Sequence, residues 1–354
     1  MEETELCFPQ LFNSSCSRLK LPYIEVMLYY IVLSSISVLT ALLNLLVIIS
    51  ISHFRLLHNI LTQFTLLFLI TDIKSTFLLF SVFHRQLQTP TNLLLLSLAV
   101  SDFFVGLLLV FQILLIDGCW ILGDIVCSLY QYLSFVILSA SLGTLVLISI
   151  DRYVAICYPL HYSTKITQDR VKICICVFWI CLSIFQSLIL KDSLKQPGKY
   201  NSCIGECVIA ISYIAGIADM IVSFIAPITV IVILYLRVFM VVVSQTRAMR
   251  SQVATLALHS SVKARKSQIK AAKTLGVVVV VFLLCMLPYY CVALTGEDDS
   301  HSTSSATFEV FLFYFNSCLN PIIYVFFYPW FRKSIKLIVT LQIVQTDSCK
   351  ASIL

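Results

Sequence analysis

The sequence predicts an all-α integral membrane protein that folds as a bundle of seven transmembrane helices. Hydrophobic residues make up 59% of the 354 residues and charged residues only 12%, whereas a soluble domain carries about 25% charged residues. The apolar residues come in blocks of about 20 or more, the length that crosses a hydrocarbon core of about 30 Å. Such blocks must be helical in lipid, because every backbone polar group there needs a partner within the protein.

The predicted elements follow in order along the chain. Residues 1–23 lack a basic segment followed by an apolar core, so they are expected to be an extracellular tail and not a cleavable signal. Residues 24–328 are assigned to the membrane domain, and residues 329–354 to a short amphipathic helix and a cytoplasmic tail. The predicted spans are 24–51, 93–116, 126–150, 171–190, 208–243, 274–294 and 306–327.

The segment after the seventh span reads FRKSIKLIV. On a helix its apolar side chains lie opposite its basic side chains, which suits a helix that rests on the inner lipid leaflet. The apolar residues are Phe331, Ile335 and Ile338, and the basic ones are Arg332, Lys333 and Lys336. We therefore expect lipid to be a partner of this segment.

The distribution of basic residues predicts the orientation. Lys and Arg are concentrated after the third, fifth and seventh spans, whereas the loop after the sixth span reads GEDDS. Cytoplasmic loops carry the excess of Lys and Arg in multi-pass proteins. The N-terminus is therefore expected outside and the C-terminus inside, in the plasma membrane.

Six cysteines fall on the predicted outer side, where disulfides persist. Cys127 opens the third span and Cys207 lies just before the fifth, so these two are expected to pair. Cys203 could then take either Cys7 or Cys16 from the tail. The tail also contains a glycosylation sequon at Asn13, on the side of the membrane where that modification occurs.

Polar motifs inside the spans carry a resemblance to one family. The motifs are Asn44, SLAVSD with Asp102, Cys127, DRYVAICYPLHY, Trp179, Pro227, FLLCMLP with Pro288, and NPIIY. Each falls in its proper span and in the right order, and together they resemble the rhodopsin-like G-protein-coupled receptors over the whole chain except residues 56–85. Within that family, NSCLNPIIYVFFYPWF and the outer cysteines of CIGEC are similar to the trace amine-associated receptors.

A group of oxygen-bearing side chains on three spans suits a hard cation such as Na⁺. The group consists of Asp102, Ser141, Asn316, Ser317 and Asn320. The resemblance implies an allosteric sodium pocket that collapses on activation, and no other cofactor is expected. The alternative is a satisfied polar core without an ion.

The resemblance also implies a switch that couples to a heterotrimeric G protein. Arg152 cannot lose its proton and needs an anion such as Asp151 while the bundle is closed. The switch residues are expected to be Asp151, Arg152, Tyr153, Phe282, Met286, Asn320, Pro321 and Tyr324. Met286 stands where the family has a bulky Trp, so softer coupling and altered basal activity are expected.

An amine receptor needs a carboxylate for the ligand ammonium. Most aminergic receptors place it on the third span, five helical turns before the Arg of DRY, where this chain has Ser134. Asp219 on the fifth span lies roughly 15 Å inside the predicted helix start, and this placement resembles a fish branch of the trace amine-associated receptors. The expected lining is Ser134, Tyr132, Tyr289, Tyr290 and Tyr314. The alternative is an aspartate that a Ser or Tyr hydroxyl holds, or that burial keeps protonated.

Residues 56–85 do not fit this organisation. A single crossing would put the basic loops outside, and two crossings need about 40 residues plus a turn. Asp72 and Lys74 near the centre would also be costly in the bilayer. Removing 56–85 leaves ISISHFRQLQTPTNLLLLSLAVSD, which resembles an unbroken first inner loop of this receptor group. We therefore interpret these 30 residues as a retained intron or an error in the gene assignment.

The resemblance implies a receptor for small volatile or biogenic amines, olfactory in role, that raises cAMP through a stimulatory G protein. A transporter would show inverted repeats and broken spans, and an enzyme would need a catalytic cluster, whereas the six histidines are scattered. No nucleic-acid partner is expected. Two readings stay open beside the amine receptor: a non-signalling product of a mis-spliced or decayed gene, and a receptor for a non-amine ligand.

Overall fold

The structure, a computed structural model, describes residues 4–11, 13–19, 23–52, 89–116, 118–252, 276–288, 303–327 and 329–340. Its first four main helices are α1 (Tyr23–Ser52), α2 (Pro90–Ile116), α3 (Asp124–Cys157) and α4 (Gln168–Ile189). Helix α5 comprises Tyr213–Met220, a π-helical turn at Ile221–Ile225, and Ala226–Gln252. The last three are α6 (Gly276–Pro288), α7 (Thr303–Phe327) and α8 (Pro329–Val339). Short helices cover Pro159–Lys165 and Lys191–Lys195. The 56–85 stretch and the predicted lining residues Tyr289 and Tyr290 lie outside the described residues.

Among the described residues, five helices are long and apolar enough to cross a membrane, namely α1 to α5. Gly276–Pro288 and Phe311–Val325 are shorter apolar helices, in the places predicted for the sixth and seventh spans. Large apolar side chains remain exposed along the outer faces of α1, α4 and α5, as Ile173, Ile184 and Leu188 illustrate. An exposed apolar surface of this kind is typical of a protein that contacts lipid.

Helix α3 extends seven residues beyond the predicted end at residue 150, through Asp151 and Arg152 to Cys157. The prediction that the fifth span begins at residue 208 was wrong. Residues 208–212 have no regular secondary structure, and α5 begins at Tyr213 after Ser212, whose hydroxyl accepts the Ala215 N–H as an N-cap.

Close packing of α1 on α2 depends on a small residue. The Ser37 hydroxyl donates to the Gly106 carbonyl at 2.7 Å. A Cβ on Gly106 would lie 2.9 Å from the Ala41 backbone nitrogen, so any larger residue would push the helices apart. Asn44 then joins α1 to α7, because its Nδ2 donates to the Ser317 carbonyl at 3.0 Å.

Three disulfides bind the tail and the loops together at one end of the bundle. They are Cys7–Cys119, Cys16–Cys203 and Cys127–Cys207. Cys203 therefore takes Cys16 of the two open choices, and Cys119, which the sequence left without a partner, takes Cys7.

The tail folds into a small hairpin that packs on the loop between α4 and α5. Strands β1 (Thr4–Leu6) and β2 (Ser17–Leu19) pair antiparallel. The Cys16 N–H donates to the Ile204 carbonyl at 3.0 Å, and the Ile204 N–H donates to the Ser14 carbonyl at 2.7 Å. Asn13 is exposed on this hairpin, and its glycosylation stays a prediction.

Helix α8 packs one side against the bundle. Phe331 is buried and meets Tyr324 of α7 edge-on, with ring centroids 6.4 Å apart. Arg332, Lys333 and Lys336 are exposed. That this helix rests on the inner leaflet stays a prediction, as does the orientation of the chain.

Candidate functional site

Asp219 lies on α5 two residues before the π-helical turn, and its side chain is half-buried. Because α5 begins at Tyr213, Asp219 lies about 9 Å inside the helix start and not the predicted 15 Å. Its Oδ1 accepts a hydrogen bond from Gln186 Nε2 at 2.9 Å and another from the Ser223 hydroxyl at 2.8 Å. A serine hydroxyl thus holds the carboxylate, as one of the open readings expected, but an amide from α4 also takes part. Among the described residues, Oδ2 has no hydrogen-bond partner and no Lys, Arg or His lies within ion-pair distance.

Gln186 is the residue at this site that the sequence reasoning missed. Its side chain is fully buried between α3, α4 and α5, and Nε2 lies 3.1 Å from the Ser139 hydroxyl and 3.2 Å from the Ser223 hydroxyl. The signal was present in the sequence, because a glutamine in the middle of an apolar span is costly and needs a partner. Spacing along α4 did not reveal that the partner was Asp219.

The other predicted lining residues are placed less directly. The Ser134 hydroxyl is buried and donates to the Tyr130 carbonyl of its own helix at 2.9 Å. The Tyr132 hydroxyl donates to the Ser183 carbonyl of α4 at 3.3 Å, so it faces that helix. Tyr314 is buried and meets Phe313 edge-on. Their contact with a ligand stays a prediction.

The polar group predicted in the core of the bundle does converge on Asp102. Oδ1 accepts from the Ser317 hydroxyl at 2.9 Å and the Ser141 hydroxyl at 3.2 Å, and Oδ2 accepts from Asn320 Nδ2 at 2.8 Å. Asn316 is buried nearby along α7, and its Oδ1 has no hydrogen-bond partner within the described part of the chain. Two helices, α3 and α7, thus present hydrogen-bond donors to one buried carboxylate on α2.

Arg152 is held by Asp151 at the other end of α3. Arg152 Nε donates to Asp151 Oδ2 at 3.0 Å, and its Nη2 also contacts the Thr91 hydroxyl of α2. Thr91 donates to Asp151 Oδ2 at 2.9 Å, and the Tyr162 hydroxyl donates to Oδ1 at 2.8 Å. Sequence reasoning identified the Asp–Arg pair and missed Thr91 and Tyr162, which tie it to two further elements.

Tyr162 lies on the short helix Pro159–Lys165, outside the membrane spans. Burial, followed by the negative charge of Asp151, raises the pKa of Tyr162 to about 12. The phenol therefore stays protonated at any physiological pH and remains a donor to the carboxylate.

The remaining motif residues lie in the core or beside it. Phe282 and Met286 of α6 are buried and belong to the main apolar cluster together with Tyr324 of α7. Pro321 lies inside α7. Tyr153 meets Tyr158 edge-on, with ring centroids 5.9 Å apart. Any role of these residues in activation stays a prediction.

Comparison with known proteins places these features in a family. A family model described as "7 transmembrane receptor (rhodopsin family)" matches residues 75–324. Trace amine-associated receptor 13c of Danio rerio is 33% identical over 356 residues, covering 98% of this chain and 95% of that protein. Trace amine-associated receptor 4 of Mus musculus is 32% identical over 363 residues, covering 99% and 96%. Trace amine-associated receptor 6 of Pan troglodytes is 34% identical over 356 residues, covering 97% and 94%.

Proposed function

The chain belongs to the trace amine-associated receptors of the rhodopsin family of seven-transmembrane receptors, and we propose that it senses small amines whose ammonium group binds Asp219. As a member of this family it is a signalling receptor and not an enzyme. The names of its relatives state that they are associated with trace amines. The assignment of the amine to Asp219, on the fifth helix, is our inference from this chain.

One observation carries the assignment. Asp219 is a half-buried carboxylate with Oδ1 oriented by Gln186 and Ser223, and no cationic side chain of the described residues lies near it. A carboxylate inside an apolar bundle is costly without a positive partner. An ammonium ligand supplies that charge together with N–H donors, and such charge-assisted hydrogen bonds are about twice as strong as neutral ones.

The receptor is proposed to signal through a stimulatory G protein in olfactory tissue. The support for a G-protein switch is the pairing of Arg152 with Asp151, which Thr91 and Tyr162 brace from two other elements. An opening that moves α2 and the Pro159–Lys165 helix away from α3 would break the bonds of Thr91 and Tyr162 to Asp151, and such a cooperative change gives two discrete states. A G protein is the partner that would bind the open state.

We expect amines to activate the receptor and their neutral isosteres to fail. In cells that express the chain, cyclohexylamine and 2-phenylethylamine should be at least about a hundredfold more potent than cyclohexanol and 2-phenylethanol, because a desolvated carboxylate loses several kcal/mol when its charged partner is removed. Surface delivery of a tagged receptor, cAMP and direct G-protein activation should be measured together. Equal potency of amine and alcohol contradicts amine sensing, G-protein activation without cAMP contradicts only the stimulatory class, and silence at normal surface density favours a non-signalling product.

We also propose that Na⁺ binds at Asp102. The support is the convergence of the Ser141 and Ser317 hydroxyls on the carboxylate, together with Asn316 Oδ1, which has no hydrogen-bond partner among the residues that the structure describes. Hydroxyls can rotate to offer lone pairs to a cation, and Na⁺ prefers oxygen ligands of this kind. The ion would supply a positive charge that stabilises the closed bundle.

Replacing Na⁺ by K⁺ at constant ionic strength should raise agonist potency by about fivefold or more, since allosteric coupling energies are typically about 1–3 kcal/mol. Nucleotide exchange on membranes is the suitable measurement, because membrane potential then plays no part. Asp102→Asn should abolish the difference between the two salts. A sodium effect of equal size in Asp102→Asn, or none in the unmodified chain, would rule out this site.

A further inference from the structure

We propose that Gln186 is a second amine-recognition residue, whose Oε1 accepts an N–H from the same ammonium that Asp219 binds. The proposal rests on the amine function above and deepens it. A ligand that satisfies both groups needs at least two N–H bonds on its nitrogen. The receptor should therefore prefer primary and secondary amines to tertiary and quaternary ones.

The orientation of the amide follows from its neighbours. An ionised carboxylate only accepts hydrogen bonds, so the end of Gln186 that lies 2.9 Å from Asp219 Oδ1 must be the donating Nε2. The hydroxyl oxygens of Ser139 and Ser223 accept hydrogen bonds from the same nitrogen, Gln186 Nε2, at 3.1 and 3.2 Å. The acceptor end, Oε1, is buried and has no hydrogen-bond partner among the described residues.

The two acceptors are close enough for one ammonium group. The oxygen and nitrogen of a carboxamide are about 2.3 Å apart, given bonds of about 1.2 and 1.3 Å. Gln186 Oε1 therefore lies within about 5 Å of Asp219 Oδ1. Two charge-assisted N–H···O bonds of about 2.8 Å that leave one tetrahedral nitrogen reach acceptors about 4.6 Å apart, and modest bending of the bonds covers a few tenths of an ångström more.

Because Gln186 Oε1 has no donor among the described residues, the site should distinguish ligands by the number of N–H bonds on their ammonium nitrogen. A site built to hydrogen-bond a ligand N–H rejects an analogue that lacks it, because the buried acceptor then stays unpaired. A tertiary ammonium has one N–H, which Asp219 takes, so nothing remains for Gln186. A primary or secondary ammonium pairs both residues.

The experiment compares cyclohexylamine and 2-phenylethylamine with their N-methyl, N,N-dimethyl and N,N,N-trimethyl derivatives. In the unmodified receptor, potency should hold for the N-methyl amine and fall about tenfold or more at the N,N-dimethyl amine. In Gln186→Leu the primary amine should lose potency and the ratio of primary to N,N-dimethyl amine should approach one. Ser183→Ala is the control on α4. Among the described residues the Ser183 hydroxyl bonds only to the Trp179 carbonyl of its own helix, at 2.9 Å, so the ratio in this variant should stay at the unmodified value.

Equal potency of the primary amine and its N-methyl, N,N-dimethyl and N,N,N-trimethyl derivatives in the unmodified receptor overturns the proposal without any variant. An unchanged ratio in Gln186→Leu at normal surface density overturns it as well. If Gln186→Leu does not reach the surface, Gln186→Met keeps the length of the side chain and is judged by the same ratio. Failure here while Asp219→Asn still abolishes amine responses leaves the amine receptor standing, whereas responses that survive Asp219→Asn count against the proposed function itself.

Discussion

Replacing Asp219 by Asn should lower the potency of small amines by about thirtyfold or more. Truncating one partner of a desolvated charge pair costs about 2–5 kcal/mol, and each 1.4 kcal/mol is a factor of ten. The substitution should spare the fold, because the asparagine oxygen can still accept from Gln186 Nε2 and the Ser223 hydroxyl. What is lost is the negative charge that the ammonium needs.

The measurement is a dose–response of G-protein activation, normalised to receptor at the cell surface. Asp192→Asn is the matched control, because it makes the same change from carboxylate to amide at an exposed position on the short helix after α4. A comparable loss in both variants would show a general electrostatic effect on the approach of cations. Unchanged potency in Asp219→Asn at normal surface density would remove Asp219 from the ligand site.

Deleting residues 56–85 should raise surface delivery of the receptor about severalfold and leave the ligand response intact. The stretch carries Asp72 and Lys74 within an apolar run. Two such charges are costly in a bilayer, and a long apolar segment left outside the bilayer would be an aggregation liability. After the deletion, seven residues, 53–55 and 86–89, connect α1 to α2. Connections between packed helices are typically about 2–8 residues long.

The helices on either side support this expectation. Ser37 of α1 and Gly106 of α2 are bonded at 2.7 Å, near the middle of both helices. That contact forms far from the junction with 56–85, so a short loop would satisfy it equally well.

Surface delivery of tagged chains by flow cytometry is the measurement, with a third chain in which a Gly/Ser linker of equal length replaces 56–85. If the apolar composition of 56–85 impairs delivery, the linker chain should reach the surface as well as the deletion chain does. If the length of the loop impairs delivery, the linker chain should reach the surface only as well as the full chain does. A deletion that delivers less than the full chain would show that the stretch belongs to the protein. Sequencing the tissue transcript across the codons for 55–86 decides the same question in the source tissue.

Periodicity and composition were sufficient to predict the helical spans that the structure describes, because a span is a local property of about 20 residues. They were insufficient at helix starts. Helix α5 begins at Tyr213 and not at residue 208, since the Ser212 cap and the disulfide at Cys207 decide where the helix can begin. Apolar residues before a helix look like helix on hydropathy alone.

Some contacts of the site were predictable and others were not. The sequence predicted that Asp102 lies with Ser141, Ser317 and Asn320, because polar side chains inside the membrane are costly unless they form hydrogen bonds with one another. Gln186 was missed, because spacing on α4 shows which face a residue occupies and does not show which helix that face meets. Tyr162 was missed for a similar reason, since it lies in a loop helix with no periodic signal.

The sequence by itself determined the class of the protein, the helical spans, the family motifs and the carboxylate on the fifth helix. Only the tertiary structure decided that Cys7 pairs with Cys119 and Cys16 with Cys203, across separations of 112 and 187 residues. It alone placed the Gln186 amide on Asp219, 33 residues away. The physical reason is that local propensity is read within a helical turn or a span, whereas these contacts depend on how whole helices rotate and pack against one another.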